Sequence, residues 1–219
     1  MIISIDGPAA SGKSTTARLL ANKLSFKHLN TGMFYRAITY IFIKDNLFNL
    51  DDESINNFFD DNILDLRGDN LELLFWNNID ITHHLVADSI NKKIHLVSNN
   101  PLIREKLVAM QRIVADNHNI VCEGRDIGSV VFPNAEFKFF LVADIESRSL
   151  RRYNEQKINN NSLLFEEVKQ ALIDRDYNDS TRSNSPLIKP IESIEVDTTD
   201  MTIDMQVDYI FKLIKQDIK

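Results

Sequence analysis

The amino-acid sequence predicts an α/β protein built on a parallel β-sheet. Short runs of β-branched and aromatic residues alternate with longer stretches in which apolar residues recur at helical spacing, which is the pattern of successive strand–helix–strand units. The first strand runs directly into a glycine-containing loop and then into a helix. With 219 residues and 43% hydrophobic content, the chain can bury one sizeable core, so we expect a single domain with an insertion.

The first element is a buried strand at residues 2–5, followed by the loop Gly7–Ser14, which matches the pattern G-x-x-x-x-G-K-[ST]. Apolar residues at helical spacing then predict a helix at Thr15–Leu24. In this frame the glycines let backbone N–H groups converge on an anion, and the helix N-terminus adds its partial positive charge. We expect Lys13 to reach the β- and γ-phosphates of a nucleotide and Ser14 to hold Mg²⁺. The alternative is an ordinary glycine turn at the start of a helix.

The remaining elements complete the alternation. Three more strands and a weaker fourth are predicted at Ile120–Cys122, Phe137–Val142, Ile194–Val196 and His28–Leu29. One helix is predicted to begin with Asn100 as its N-cap and Pro101 as its first residue, and a C-terminal helix is predicted over residues 203–214. Because the carboxyl ends of parallel strands meet at one edge of a sheet, we expect the glycine loop and the residues after Cys122 to lie together.

Residues 63–81 depart from this alternation and predict an antiparallel meander inserted into the α/β chain. Turn residues occur at 68–70 and 77–78, between runs in which apolar and polar residues alternate. The apolar positions of these runs are Leu64, Leu66, Leu71, Leu73 and Phe75. An inserted lobe on a nucleotide-binding core usually serves the second substrate, although a purely structural flap is the alternative. The asparagine-rich stretch around Asn159–Asn161 predicts a mobile loop.

Composition excludes several classes of protein. The formal net charge of −7 argues against a nucleic-acid surface, which needs a basic face, so local basic clusters call for smaller anions. A single cysteine, Cys122, excludes an internal disulfide and fits a reducing cytoplasm. No apolar run approaches the roughly 18 residues of a membrane span, and the N-terminus lacks the layout of a signal peptide. We therefore expect a cytoplasmic protein with no nucleic-acid or membrane partner.

Two motifs indicate where an acceptor of phosphate binds. In NTGMFYR, Thr31 and Arg36 straddle a glycine turn, which suits a dianionic phosphate, although Thr31 could simply cap a helix. In EGRDIGSVVFP, Glu123 ends a hydrophobic strand and can orient hydrated Mg²⁺. Arg125 and Asp126 are then expected to project over the cleft, one towards a phosphate and the other towards a base or sugar. Alternatively, Asp126 pairs with Arg125 or caps a turn.

Two basic clusters lie further along the chain. Arg148, Arg151 and Arg152 crowd one face of a predicted helix, and their mutual repulsion is a cost that a polyphosphate would reverse. In the next helix, if it extends far enough, three more charged residues share a face: Arg175, Asp179 and Arg182. The alternative is a set of solvated salt bridges with Asp174, Asp176 and Asp179, each contributing about 0–1 kcal/mol.

Across nearly the whole chain, the sequence resembles the bacterial cytidylate kinases. The motifs GPAASGKST, NTGMFYR, NPLIREKL, EGRDIGSVVFP and RDYNDSTRSNSPL occur in the order and spacing of that family. The resemblance implies a P-loop nucleoside-monophosphate kinase fold, with a five-stranded parallel sheet flanked by helices, a β-rich insert in the acceptor-binding lobe and a helical lid. It divides the single domain into a core (about 1–33, 101–147 and 183–219), a CMP-binding lobe (about 34–100) and the lid (about 148–182).

The implied reaction transfers a phosphate from ATP to CMP or dCMP with Mg²⁺. Nothing in the sequence suggests an obligate interface, so we expect a monomer. The matching ATP-binding residues are Gly7, Pro8, Ala9, Ala10, Ser11, Gly12, Lys13, Ser14, Thr15, Arg148 and Arg152. The matching CMP-binding residues are Thr31, Tyr35, Arg36, Arg104, Gly124, Arg125, Asp126, Arg175, Asp179 and Arg182. Catalytic roles are assigned to Lys13, Arg125, Arg151 and Arg182. Ser14, and Glu123 through water, are assigned to the metal.

Three positions depart from the family pattern. Ala10 stands where a second glycine is frequent, which is a mild change if the residue has ordinary backbone angles. Asn30 replaces the usual aspartate before Thr-Gly and so removes one charge near the acceptor. His95 occupies what matches the position of a base-contacting serine in some members, so that contact is not expected here.

The chemistry of cytosine also favours CMP. Asp126 and Arg104 supply the acceptor and the donors that complement the C4 amino group, N3 and O2 of cytosine, whereas uracil would turn O4 towards Asp126. The nearest rival is another small P-loop kinase acting on UMP, AMP or a metabolite such as shikimate. A GTPase-type switch or a nucleotide sensor would need an N-K-x-D motif, and both NKLS and NKKI lack the aspartate.

Overall fold

The computed structural model describes residues 1–116, 118–158 and 163–217. The predicted loop at Asn159–Asn161 lies outside the described residues. The strands are β1 (Ile2–Asp6), β2 (Lys27–Asn30), β3 (Leu64–Arg67), β4 (Leu73–Trp76), β5 (Ile79–Asp80), β6 (Ile120–Gly124), β7 (Phe137–Val142) and β8 (Ile194–Asp197). The helices are α1 (Lys13–Leu24), α2 (Gly32–Asp45), α3 (Asp52–Asp61), α4 (Asp88–Ser98), α5 (Pro101–Ala115), α6 (Ile145–Lys157), α7 (Phe165–Thr181) and α8 (Ile203–Asp217).

The predicted α/β fold with a five-stranded parallel sheet is confirmed. The strand order is β2-β6-β1-β7-β8, and every neighbouring pair is parallel. All five strands expected from the sequence are present. β7 has its predicted bounds, β1, β6 and β8 are longer by one or two residues at the carboxyl end, and β2 is longer by one residue at each end. This order places β1 between β6 and β7, so the loop after β1 and the segment after β6 emerge side by side.

Two apolar layers cover the sheet. Ile3 and Ile5 point to one face, where they pack with α1 and α8 in a buried cluster. The opposite face packs against α2 and α5, and this second cluster continues into the inserted segment. Because side chains alternate along a strand, Ser4 and Asp6 of β1 lie on this second face. The central strand therefore places polar side chains under the segment that follows β6.

The helix predicted to start after Asn100 begins there. The side chain of Asn100 accepts a hydrogen bond from the backbone N–H of Ile103 (3.0 Å), and Pro101 is the first helical residue. The helix expected to carry Arg175, Asp179 and Arg182 reaches only the first two, because α7 ends at Thr181 and Arg182 follows it with an extended backbone.

The inserted meander is confirmed, but its inward face differs from the prediction. Strands β3, β4 and β5 form an antiparallel sheet in which Leu66 opposes Leu74. Leu74 is fully buried, whereas Leu73 and Phe75, two of the apolar positions in the predicted alternation, are only partly buried. The reason is that all four residues of β4 are apolar, so alternation does not identify its inward face, and Leu74 is the residue that opposes the buried Leu66. Leu71 lies in a turn with φ +60°, before the strand begins.

Across the described ranges 1–116, 118–158 and 163–217, no helix is long and apolar enough to cross a membrane.

Candidate active site

The loop between β1 and α1 has the geometry of an anion cradle. Gly7 has φ +150°, and a Cβ at this position would collide with the carbonyl oxygen of Leu141 on β7, so only glycine fits. Helix α1 begins at Lys13, which turns its first backbone N–H groups towards the loop. The predicted phosphate loop therefore lies at the carboxyl end of the central strand, β1.

Ala10 does not have the ordinary backbone angles that would make its replacement of glycine mild. Its φ is +58°, in the left-handed region that a residue with a Cβ enters only at a cost. The loop therefore keeps a glycine-like conformation without a glycine at this position.

Lys13 is buried at the start of α1, with 5% of its surface exposed, and its Nζ donates to the carbonyl oxygen of Pro8 (2.8 Å). Burial lowers the pKa of Lys13 to about 7, and the positive charge of Arg125 adds to this effect, while Glu123 opposes it. An anion placed between Lys13 and Arg125 would remove the cost of both charges.

Glu123 lies at the carboxyl end of β6, in register with Ile5 on one side and Asn30 on the other. The residue is 3% exposed, and its Oε1 has no hydrogen-bond partner among the described residues. Ser14, by contrast, is exposed at the start of α1. A buried carboxylate oxygen without a partner next to a phosphate loop is available for an ion or its water.

Asp126 anchors a second group of charges, directly after β6. Its carboxylate forms a buried ion pair with Arg104 of α5, and Arg182 approaches its other oxygen at 3.9 Å. The guanidinium of Arg104 lies 5.3 Å from the centre of the Tyr35 ring. Burial raises the pKa of Tyr35 to about 12. The pairing that the sequence left open for Asp126 is therefore with Arg104, not with Arg125.

The carboxylate of Asp179, on α7, lies close to three arginines. It binds Arg125 Nε at 2.8 Å, and Arg182 and Arg175 lie at 3.9 and 4.0 Å. Burial alone would raise the pKa of Asp179, but Arg125 and then Arg175 hold it below its usual value. Burial lowers the pKa of Arg175 to about 10, and Arg125 contributes to the decrease. One carboxylate thus faces three cations, which leaves an excess of positive charge for a ligand.

Thr31 and Arg36 lie on either side of the first turn of α2. The hydroxyl of Thr31 donates to the carbonyl oxygen of Glu123 (2.8 Å), so it ties β2 to β6 and makes no side-chain cap for α2. Arg36 donates to the carbonyl oxygen of Leu85 (3.0 Å). Burial lowers the pKa of Arg36, and the charges of Arg152 and Arg125 lower it further.

The three arginines of α6 point in different directions. Arg148 donates to the carbonyl oxygen of Ala9 in the phosphate loop (3.1 Å) and pairs with Asp176 of α7, which itself accepts from the N–H of Ala9 (3.1 Å). Arg151 donates to the carbonyl oxygens of Thr198 and Thr199 after β8. Arg152 pairs with Glu155 (3.2 Å). In this structure Arg148 is therefore the member of the set that contacts the phosphate loop.

Two acidic residues of the site were missed by the sequence analysis. Asp176 binds the phosphate loop directly, although the sequence suggested it only as a surface partner for arginines. Asp6 is 1% exposed and accepts the backbone N–H groups of Ile127 and Gly128. Burial raises the pKa of Asp6 to about 6 against these hydrogen bonds, Asp126 adds to the rise, and Lys13 opposes it. The signal for Asp6 was its place immediately before Gly7 at the end of a buried strand.

Two other departures from the family pattern, Asn30 and His95, differ in their surroundings. Asn30 opposes Glu123 in the β2–β6 register, so an amide neighbours the buried carboxylate. His95 is exposed on α4.

Comparison with known proteins accounts for this arrangement. The sequence matches the model of the cytidylate kinase family over residues 3–216. A cytidylate kinase of Fusobacterium nucleatum subsp. nucleatum is 42% identical over 217 residues, which cover 99% of this chain and 98% of that protein. One of Ligilactobacillus salivarius is 41% identical over 215 residues, covering 98% and 96%. The solved shikimate kinase from Acinetobacter baumannii, in complex with shikimate, is similar in fold only, with a TM-score of 0.50, 14% identity, and coverage of 99% and 93%. The chain belongs to the cytidylate kinase family.

Proposed function

We propose that this protein transfers the γ-phosphate of MgATP to CMP and dCMP, giving ADP and CDP or dCDP. The observation that carries the proposal is the convergence of cationic side chains from separate parts of the chain between the phosphate loop and Asp126. Lys13, Arg36 and Arg175 each have a lowered pKa, in which burial is the largest cause and a neighbouring cation the next. Such a cluster is stable only beside anions, and two nucleotides held end to end supply them.

Asp126 and Arg104 are the residues that would distinguish cytosine from uracil. Both are almost fully buried, and their carboxylate and guanidinium present an acceptor and donors side by side. The amino group of cytosine would satisfy the Asp126 carboxylate, whereas O4 of uracil would oppose it. A site that binds the hydrogen-bonding groups of its substrate in this way strongly disfavours an analogue without them.

The phosphate of CMP attacks the γ-phosphorus in line, and the chain supplies position and charge. The acceptor oxygen is already anionic at neutral pH, so the mechanism needs no general base. Lys13 neutralises charge that develops on the transferred group, and Arg125 and Arg182, oriented by Asp179, hold the acceptor phosphate. Arg148 and Asp176 join the lid to the phosphate loop and exclude water from the transfer.

The residues present fit an Mg²⁺ ion that arrives with ATP. Glu123 offers a buried oxygen without a partner among the described residues, and Ser14 offers an exposed hydroxyl. Within residues 1–116, 118–158 and 163–217, no three His, Cys, Asp or Glu side chains are grouped to cage a metal. Mg²⁺ usually keeps several waters and uses few protein ligands, and when bound it would neutralise charge on the β- and γ-phosphates.

The parts of the chain have distinct roles in this proposal. Residues 34–100 form the CMP-binding lobe, residues 148–182 form the lid, and the remainder is the core that carries the phosphate loop. Arg151, which is bound to the carbonyl oxygens after β8, reaches the transferred phosphate only if the lid moves. We also propose that the protein acts as a monomer in a reducing cytoplasm, where its buried thiol, Cys122, stays free.

The test is the release of ADP with MgATP and, separately, CMP, dCMP, UMP, AMP and shikimate. We expect CMP and dCMP to give the highest kcat/KM. The Asp126→Asn variant should lose discrimination against UMP, because an amide can donate to O4 of uracil. The control variant Asp52→Asn changes an exposed residue of α3 and should match the wild type. Phosphorylation of CMP no faster than AMP would refute the proposal.

A further inference from the structure

Asp6 is a buried carboxylate that the mechanism above does not use. It ends β1 and immediately precedes Gly7, the first residue of the phosphate loop. Its two oxygens accept hydrogen bonds from consecutive backbone N–H groups, Oδ1 from Ile127 and Oδ2 from Gly128, each at 2.8 Å. A buried carboxylate is costly unless such bonds satisfy it, so the pair of N–H groups and the carboxylate hold one another in place.

The segment that Asp6 holds begins at the acceptor-side residues. Ile127 directly follows Asp126, and the carbonyl oxygen of Asp126 accepts from the N–H groups of Val130 (2.9 Å) and Val131 (3.1 Å). Asp126 is therefore fixed from both sides of its backbone: its carbonyl lies inside the turn, and the next two N–H groups bind Asp6. A shift of this turn would move the Asp126 carboxylate away from Arg104.

The turn also lies in direct contact with the central strand. A Cβ on Gly128 would lie 2.8 Å from Ser4 Oγ and 3.4 Å from Asp6 Oδ2, so the turn packs closely against β1. Asp6 is joined to the phosphate loop by the chain itself and to the acceptor segment by two short hydrogen bonds. Asp6 therefore connects the phosphate loop to the segment that carries Asp126.

We propose that Asp6 is a positioning residue, whose carboxylate binds the backbone of residues 127 and 128 and so sets the acceptor segment, residues 125–128, at a fixed distance from the phosphate loop. The inference rests on the proposed function and adds to it a residue that touches neither nucleotide. Because both of its hydrogen bonds go to the acceptor segment and none goes to the phosphate loop, its loss should weaken the use of CMP far more than that of ATP.

The test compares Asp6→Asn with two control variants. The asparagine keeps the shape of the side chain but turns an NH₂ group towards one backbone N–H, so one of the two hydrogen bonds is lost. Asp51→Asn changes a carboxylate that likewise accepts a backbone N–H (from Ser54, 2.9 Å), at the start of α3. Ile210→Val shortens a fully buried side chain of α8 and supplies a loss of stability that is unrelated to the turn.

Steady-state kinetics should separate positioning from stability. We expect Asp6→Asn to raise the KM for CMP by about tenfold or more, the effect of one charge-assisted hydrogen bond, with the KM for ATP within about twofold of the wild type. Both control variants should keep both KM values. The inference is overturned if Asp6→Asn behaves like Ile210→Val, with a lower Tm and unchanged KM values, or if both KM values rise equally.

A second measurement does not depend on catalysis. Hydrogen exchange at the N–H groups of Ile127 and Gly128, followed by NMR in the nucleotide-free protein, should be faster in Asp6→Asn than in the wild type and in Ile210→Val. Unchanged exchange would overturn the inference. If the wild type failed to phosphorylate CMP, the proposed function would fall, and this exchange would still decide whether Asp6 holds the turn.

Discussion

Lys13 shows, at the scale of one residue, why the free site favours an anion. Its ammonium group is enclosed at the start of α1, close to the positive charge of Arg125, and burial lowers its pKa to about 7. Lysine is protonated in the unfolded chain near neutral pH, whereas Lys13 is partly neutral in the folded protein. Its burial therefore lowers the free energy of unfolding progressively as the pH falls from the unfolded pKa of lysine towards the folded pKa of Lys13. Bound phosphates reverse this, because they favour the protonated form.

The first prediction is that ATP binding takes up protons at pH 8. The free protein holds Lys13 largely neutral at this pH and the complex holds it charged, so uptake should approach about one proton per ATP. Calorimetric titration in two buffers of different ionisation enthalpy measures the uptake, and Lys13→Met should remove it. Binding heats that do not depend on the buffer would contradict the prediction.

The second prediction concerns the effect of Ala10 on stability. Its φ of +58° is strained for an alanine, so Ala10→Gly should stabilise the protein by about 1 kcal/mol, net of the extra freedom that glycine gives the unfolded chain. Urea denaturation measures the change. Ala9→Gly is the matched control, because Ala9 lies in the same loop without a positive φ and should lose stability. Equal losses in both variants would show that strain at Ala10 is negligible.

At the scale of elements, the three-stranded insert is defined by which side chains face inward. The opposition of Leu66 and Leu74 sets one apolar face against α2 and its neighbours, and Leu73 belongs to the other face. A strand whose register slips by one residue turns every side chain over, so this choice determines how the insert packs.

The third prediction tests that face. Leu74→Ala should lower the free energy of unfolding by about 2–5 kcal/mol, the range for a fully buried leucine, and Leu73→Ala by clearly less. Equilibrium urea unfolding of both variants gives the comparison. If Leu73→Ala cost more than Leu74→Ala, the observed register would be wrong.

The elements themselves were largely predictable, whereas several details were not. Periodicity and the Asn100–Pro101 start were enough to predict the five core strands, α5 and the meander. Periodicity could not show that Leu71 lies in a turn with positive φ, because that depends on the hydrogen bond its N–H donates to Gly68. The same limit applies to Ala10.

The chemistry of the candidate site was predictable by residue type but not by partner. The sequence indicated the loop, Asp126 and the arginines, since few other roles suit such residues in that order. It could not decide between Arg104 and Arg125 as the partner of Asp126, because several guanidiniums compete for few carboxylates and only the three-dimensional arrangement chooses. Asp6 and the contact of Asp176 with the phosphate loop escaped notice for another reason: the partners in these contacts are backbone N–H groups, which nearly every residue carries.

For the molecule as a whole, the site concentrates cations in a protein with a formal net charge of −7. The contributing charges come from α1, α2, the segment after β6, α6 and α7. Electrostatic attraction to anionic substrates therefore comes from this cluster and not from the overall charge, and it should weaken with added salt.

The fourth prediction follows from that concentration. Arg175→Gln should raise the Tm of the nucleotide-free protein and reduce the further rise caused by inorganic tripolyphosphate, because Arg175 is held near Arg125. Thermal unfolding at constant ionic strength measures both effects. Lys92→Gln, which removes an exposed charge on α4, should leave both unchanged. A lower Tm in Arg175→Gln would indicate that this charge stabilises the free protein.

The position of β1 between β6 and β7 also bears on how the chain matures on the ribosome. Strand β1 leaves the exit tunnel before the two strands that pair with it, which begin at Ile120 and Phe137, more than 100 residues later. Until then both edges of β1 are without native partners, although α1 can already cover Ile3 and Ile5, and unpaired strand edges make a nascent chain prone to associate with other chains. The phosphate loop, which follows this strand directly, therefore reaches its native surroundings only after β6 and β7 have been synthesised.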